Sequence, residues 1–143
     1  MSRYILDTDC FSLRQRNDQM MVQRLEVNAE NLAVTIVTVE EVIHGRFNVI
    51  RQASAPSQAD KLVLAYTKLW DTLDDFTILN ILKFDQNAFT IYTEFRSHIR
   101  RIGTRDLRIA AIVLANNAIL VTRNNRDFSQ VPGLVQEDWT IQP

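Results

Sequence analysis

With 143 residues, 46% of them hydrophobic and 23% charged, and only three Gly and three Pro, the chain has the core-forming content of one helix-rich domain, which excludes disordered and fibrous classes. Its one cysteine, Cys10, excludes an intramolecular disulfide, and no Cys or His pair stands at zinc-finger spacing, so a reducing compartment is expected. A net charge of -1 excludes an overall basic field, leaving nucleic-acid contact to a local patch or a bound cation.

Tyr4-Ile5-Leu6 is a short apolar run ending at Asp7, the pattern of a buried strand. Behind Met1-Ser2-Arg3 it is far too short for a signal peptide or a membrane span, so a cytoplasmic chain with no membrane partner is expected. Ala33-Val34-Thr35-Ile36-Val37 repeats the strand pattern, with Glu40 and Glu41 shortly beyond. Ala53-Ser54-Ala55-Pro56-Ser57 is the one loop-like stretch. From Ala59 to Phe76, the recurrence of Leu62, Leu69, Leu73 and Phe76 around Tyr66 and Trp70 predicts a packing helix with an apolar stripe. Phe76 to Leu79 reads as a third strand.

After Asp85, a further helix sets Phe89, Tyr92 and Phe95 on one side and Arg96, Arg100 and Arg101 towards its end, where Gly103 breaks it. Thr104 to Asn116 is apolar on nearly all sides, which predicts a helix buried against a sheet with Asp106 in its first turn. Ala118 to Val121 is a fourth strand. Strands alternating with helices imply an α/β class and a parallel sheet. No linker or repeat interrupts residues 1–143, which are expected to form one domain.

Asp7, Glu41, Asp106 and the turn from Asn124 to Asp127 each stand at a strand end or a helix start, where an open α/β sheet presents its ligand site. Carboxylates gathered there repel one another unless a cation sits among them, and hard oxygen donors select Mg²⁺ or Mn²⁺. Such an ion lowers the pKa of a bound water and neutralises charge on a phosphodiester, so the reaction class is phosphodiester hydrolysis. The same positions have a second reading, as turn residues and N-caps.

Four segments, in order and spacing, resemble those of PIN-domain ribonucleases of the VapC toxin type. They are Leu6-Asp7-Thr8-Asp9, Thr38-Val39-Glu40-Glu41-Val42-Ile43-His44-Gly45, Gly103-Thr104-Arg105-Asp106-Leu107-Arg108-Ile109-Ala110-Ala111 and Val121-Thr122-Arg123-Asn124-Asn125-Arg126-Asp127-Phe128. The tail Val131-Pro132-Gly133-Leu134 followed by Glu137-Asp138-Trp139 is similar to the ending of these toxins, so the resemblance runs from residue 3 to residue 140. It implies a PIN-like, Rossmann-like three-layer sandwich around a parallel sheet of about four to five strands.

The resemblance also implies that Asp7, Glu41 and Asp106 are catalytic acids that bind Mg²⁺ or Mn²⁺. The four-residue spacing to Gly45 selects Glu41 over Glu40, whose side chain on a helix points about 100° away. At the fourth position, Asn124 offers a neutral oxygen and Asp127 a carboxylate. Either completes the metal site, or Asp127 caps the turn before Phe128. Asp9 joins the acids or caps the following helix.

Thr8 and Thr122 would hydrogen-bond the carboxylates or a metal water, or serve ordinary turns. Arg123 and Arg126 would meet substrate phosphate, or lie solvated or paired with the acids. Arg96, Arg100, Arg101, Arg105 and Arg108 form either a basic rim around an RNA groove or a solvated face. His44 and His98 read as structural or surface residues, and Cys10, with no histidine partner, as a small residue near a strand end.

The implied function is a metal-dependent endoribonuclease, the toxin of a VapBC pair. Its substrate would be tRNA or mRNA, its inhibitor a VapB-type antitoxin covering the acidic groove, and its assembly a homodimer. Two alternatives stay open: a structure-specific DNA nuclease, and a non-catalytic PIN-like binding module in which the neutral Asn124 weakens the metal site.

Overall fold

The β-branched and aromatic run at the N-terminus forms strand β1 (Tyr4–Leu6), the middle strand of a five-stranded sheet in the computed structural model, which describes residues 2–141. Met1, Gln142 and Pro143, the ends of the expected single domain, lie outside the described residues. In chain order there follow α1 (Thr8–Gln15), α2 (Gln19–Val27), β2 (Leu32–Thr35), α3 (Ile36–Ala53), α4 (Leu62–Thr77), β3 (Asn80–Leu82), α5 (Gln86–Arg96), α6 (Thr104–Ala115), β4 (Ile119–Val121), α7 (Asn125–Phe128) and β5 (Gln136–Glu137). Short 3-10 segments at Ala29–Asn31 and Pro56–Lys61 lead into β2 and α4.

The strand order is β3-β2-β1-β4-β5 and every pairing is parallel, as expected of the alternating pattern, with Ile5 opposite Ala33 on one side and Leu120 on the other. Adjacent strand residues face opposite ways, and a parallel sheet must therefore be apolar on both faces. Ile5, Ala33 and Leu120 accordingly join one buried cluster with α5 and α6, through Ala88, Leu107, Ile109 and Val113. Leu6, Val34 and Val121 join another with α1 to α4, through Phe11, Met21, Val42 and Phe76. The result is helix, sheet and helix in three layers.

Several element boundaries differ from those expected. β2 stops at Thr35, because its hydroxyl accepts the Thr38 N–H at 3.2 Å and caps α3, so Ile36 and Val37 are helical. The third strand is Asn80–Leu82 rather than Phe76 to Leu79. Phe76 is buried within α4, stacked on Phe11 with ring centroids 4.6 Å apart. Gly103 does not end α5, which stops at Arg96; it is the N-cap of α6, and Arg100 and Arg101 lie in the connection between them.

The stripe expected to pack α4 is also displaced. Ala65, Thr72 and Phe76 are buried, whereas Tyr66, Trp70 and Leu73 are exposed. The small Ala65 and Thr72 let α4 approach α3 closely, with Arg46 of α3 donating to the Thr72 hydroxyl at 2.9 Å. The larger apolar side chains flank that contact. The hydrophobic pattern gives no sign of α2, α7 or the two-residue strand β5, and it does not set limits for α1 and α3, although a helix is expected after Asp9 and around Glu40 and Glu41.

Candidate active site

The ends of β1 and β4 and the starts of α1, α6 and α7 converge with the second turn of α3 at the C-terminal ends of the strands. Asp7 follows β1 and its N–H donates to the Val121 carbonyl at 3.0 Å, continuing the β1–β4 ladder by one bond. There it serves as the N-cap of α1, its Oδ1 accepting from the Cys10 N–H at 2.8 Å. The other oxygen accepts from the Thr122 hydroxyl at 2.6 Å. The cap is thus Asp7 itself rather than Asp9. Only 5% of Asp7 is exposed, and that burial raises its carboxyl from the ordinary value despite the opposing pull of Thr122 and Cys10.

Glu41 is carried by the second turn of α3 and accepts the Thr8 hydroxyl at 2.7 Å. Thr8 Oγ1 is in turn 3.0 Å from the hydroxyl of the buried Thr38. Asp106, in the first turn of α6, is half-buried and its carboxyl is pushed up to about 6. Desolvation is the largest cause, followed by the charges of Glu41, Asp7 and Asp127. Asp7, Glu41 and Asp106 line a common cleft of about 480 Å³.

At the fourth position Asn124, not Asp127, lines that cleft. Asn124 caps α7 by accepting the Asp127 N–H at 3.3 Å, and its Nδ2 donates to Asp127 Oδ2 at 3.0 Å. Its own N–H donates to Thr122 Oγ1 at 2.9 Å, so Thr122 joins the Asp7 side to the Asn124 side. Asp127 is therefore not the cap of this turn, although its charge reaches Asp106.

The flanking charges are arranged as pairs. Asp9 receives a two-pronged contact from Arg123, Nε to Oδ2 at 2.8 Å and Nη2 to Oδ1 at 3.0 Å, with both side chains nearly half exposed. Glu40 does not line the Asp7 cleft and lies 3.6 Å from Arg105. Arg126 is exposed. Among the described residues no salt bridge reaches Asp7, Glu41, Asp106 or Asp127.

Cys10 is buried beneath Asp7, its Sγ within 4.8 Å of ligand oxygens of Asp7 and Asp9. Burial and the neighbouring Asp7 push its thiol up, which disfavours the thiolate that a nucleophile needs. His44 and His98 are exposed. Two residues of the site escaped the sequence pattern. Ser12 lines the cleft one helical turn after Thr8, a spacing that does place both on one face of α1. Thr38 reaches Thr8 across 30 positions and left no local signal.

These donors are hard oxygens with unpaired negative charge at the C-terminal ends of parallel strands. They match what a small divalent cation requires.

Comparison with known proteins finds the sequence profile of the PIN domain matching residues 4–134. The chain is similar to ribonuclease VapC2 of Rickettsia felis, with 27% identity over 95% of this chain and 97% of that protein. It is also similar to the tRNA(fMet)-specific endonuclease VapC of Shigella flexneri, with 26% identity over 98% and 100% of the two chains. Among solved structures, the crystal structure of VapBC2 from Rickettsia felis bound to a DNA fragment from their promoter is similar, with a TM-score of 0.73 and 26% identity over 95% of this chain and 98% of that one. The structure of VapBC-1 from nontypeable Haemophilus influenzae shares the fold with a TM-score of 0.73 at 24% identity over 96% and 98%.

Proposed function

The chain belongs to the PIN domain family, and on that premise we propose that it is a metal-dependent endoribonuclease, the toxin of a VapBC-type toxin–antitoxin pair. The observation that carries the reading is the convergence of Glu41, Asp7 and Asp127 on Asp106, with no cation among the described residues paired to any of them. Relatives named as ribonuclease and tRNA(fMet)-specific endonuclease, matched over nearly their whole length, support an RNA substrate, either tRNA or mRNA. A VapBC complex among the similar structures supports a VapB-type antitoxin as partner. Residues 1–143 act as one PIN domain in this reading, and two copies form a homodimer. No helix among the described residues is long and apolar enough to cross a membrane, and a cytoplasmic location is part of the proposal.

Asp7, Glu41 and Asp106 would hold Mg²⁺ or Mn²⁺, with the side-chain oxygen of Asn124 completing the set. When bound, the ion supplies neutralisation of charge on the phosphodiester and a lowered pKa for the attacking water. The residues around it orient and select. Thr122 and the Cys10 N–H fix both oxygens of Asp7, and Thr8 fixes Glu41, so the carboxylates are aimed before substrate arrives. Asp127 acts through Asn124, holding its amide group by the Nδ2 contact. Arg123, at the rim, exchanges Asp9 for a substrate phosphate, and the exposed Arg126 adds to the same side.

The test is Mn²⁺-dependent cleavage of a mixed tRNA and mRNA pool by purified, antitoxin-free protein, with Asp7→Asn as control. Cleavage that requires the ion and disappears in the variant supports the nuclease. A folded protein that cuts none of these RNAs overturns it in favour of a binding module weakened at Asn124.

A further inference from the structure

Beside the cleft that Asp7 lines lies a second lobe of about 500 Å³, which shares Glu41 and Asp106 with it and is walled by Glu40, Thr104, Arg105 and Arg108. Its two arginines carry little structural duty. Arg96, by contrast, gives its guanidinium to the carbonyls of Ile99 and Ile102. Arg105 makes one long contact, Nη2 to Glu40 Oε2 at 3.6 Å, between side chains that are 43% and 52% exposed. Arg108 lies over the Tyr92 ring with its guanidinium carbon 5.2 Å from the centroid, and among the described residues it forms no salt bridge. Stacking occupies a guanidinium's face and leaves its N–H edge able to donate.

An RNA strand whose scissile phosphate sits at Glu41 and Asp106 and which extends through this lobe passes Glu40, where its next phosphate would meet a third carboxylate. The strand can pass only if cations face that phosphate. A bidentate arginine–phosphate contact is stronger than a single long ion pair in solvent, so the exchange favours the phosphate. Resting on the phosphodiesterase reading above, we propose that this lobe is a subsite for the phosphate next to the scissile one. Arg105 and Arg108 bind it, and Glu40 is the counter-ion that it displaces. Glu40 is then a positioning residue: it holds Arg105 at the rim in the free protein and repels a charged phosphate that enters the lobe without engaging the arginine.

The test uses RNA carrying the mapped cleavage site, with a single uncharged methylphosphonate linkage one nucleotide 5′ or 3′ of the scissile bond, assayed at saturating Mn²⁺. Arg105→Gln should lower kcat/KM on unmodified RNA about tenfold, mainly through KM, and should have little further effect on the RNA whose neutral linkage falls in this lobe. Glu40→Gln should lower KM about threefold on unmodified RNA and leave KM unchanged on that neutral-linkage RNA. The slope of log KM against log salt should fall by about 0.7 in Arg105→Gln. Equal losses for Arg105→Gln on the unmodified RNA and on both modified RNAs overturn the subsite, and so does an unchanged or raised KM for Glu40→Gln. Failure of the wild-type protein to cleave any RNA is a different result: it overturns the nuclease reading and the subsite with it.

Discussion

Asp106 has the least compensated charge in the site: half-buried, beside Glu41, Asp7 and Asp127, with its carboxyl pushed up to about 6. Because the folded value lies above the ordinary 3.8, the fold binds this proton more tightly than the unfolded chain does. The resulting stabilisation is full below the unfolded value and is lost as pH rises through about 6. In metal-free protein at pH 8, Asp106→Asn should therefore raise Tm. Discounted for solvent screening, the gain is about 1 kcal/mol, or about 3 °C at this size, and it should vanish by pH 4 in thermal scans. The same variant should lose RNA cleavage. Asp7 and Asp106 were legible in the sequence because one closes a strand and the other opens a helix, whereas Glu41, in the second turn of α3, was picked out by the resemblance through its spacing to Gly45. Asn124's grip on Asp127, and the Thr38 contact behind Thr8, depend on rotamers and on neighbours distant in the chain, which periodicity does not encode.

At the scale of elements, the position of Asp106 depends on how α5 hands over to α6. Arg96, the last residue of α5, donates to the Ile99 carbonyl at 3.2 Å and to the Ile102 carbonyl at 2.9 Å, folding the connection back so that Gly103 can start α6. Arg96→Met keeps the stem but leaves both carbonyls without these donors. It should cost about 2 kcal/mol in chemical denaturation, with faster amide exchange across the first turn of α6. Restored exchange protection with unchanged stability would show that the connection is held by Ile99 and Ile102 packing alone. In sequence this segment read as a helix running on to Gly103, since three arginines suit a helix C-terminus. The strand after α4 was misplaced for a similar reason. Phe76 to Leu79 and Asn80 to Leu82 are both short and apolar-rich, but α4 runs on through Phe76, stacked on Phe11, to Thr77, and Ile78 caps it before β3 begins at Asn80. The alternation of strands and helices survived these shifts because it depends on the number of buried runs, not on their limits.

For the whole molecule, a chain of net charge -1 concentrates unpaired carboxylates at the C-terminal ends of its strands, so the entire fold bears their repulsion. An ion that binds only the folded state relieves it and stabilises globally, by about 2.7 kcal/mol at one hundred times its dissociation constant. Addition of Mn²⁺ at pH 8 should accordingly raise Tm by about 8 °C in the wild-type protein, and by much less in Asp7→Asn and Asp106→Asn. Protons compete for the same oxygens, so the Mn²⁺ shift should shrink as pH falls through about 6, where Asp106 takes up its proton. An Mn²⁺ shift equal in wild type and both variants would place the ion elsewhere on the surface, for instance at the exposed Asp71 and Asp74 of α4. A shift confined to the intact carboxylate set and lost in acid ties the stability of the fold to the site, independently of any RNA.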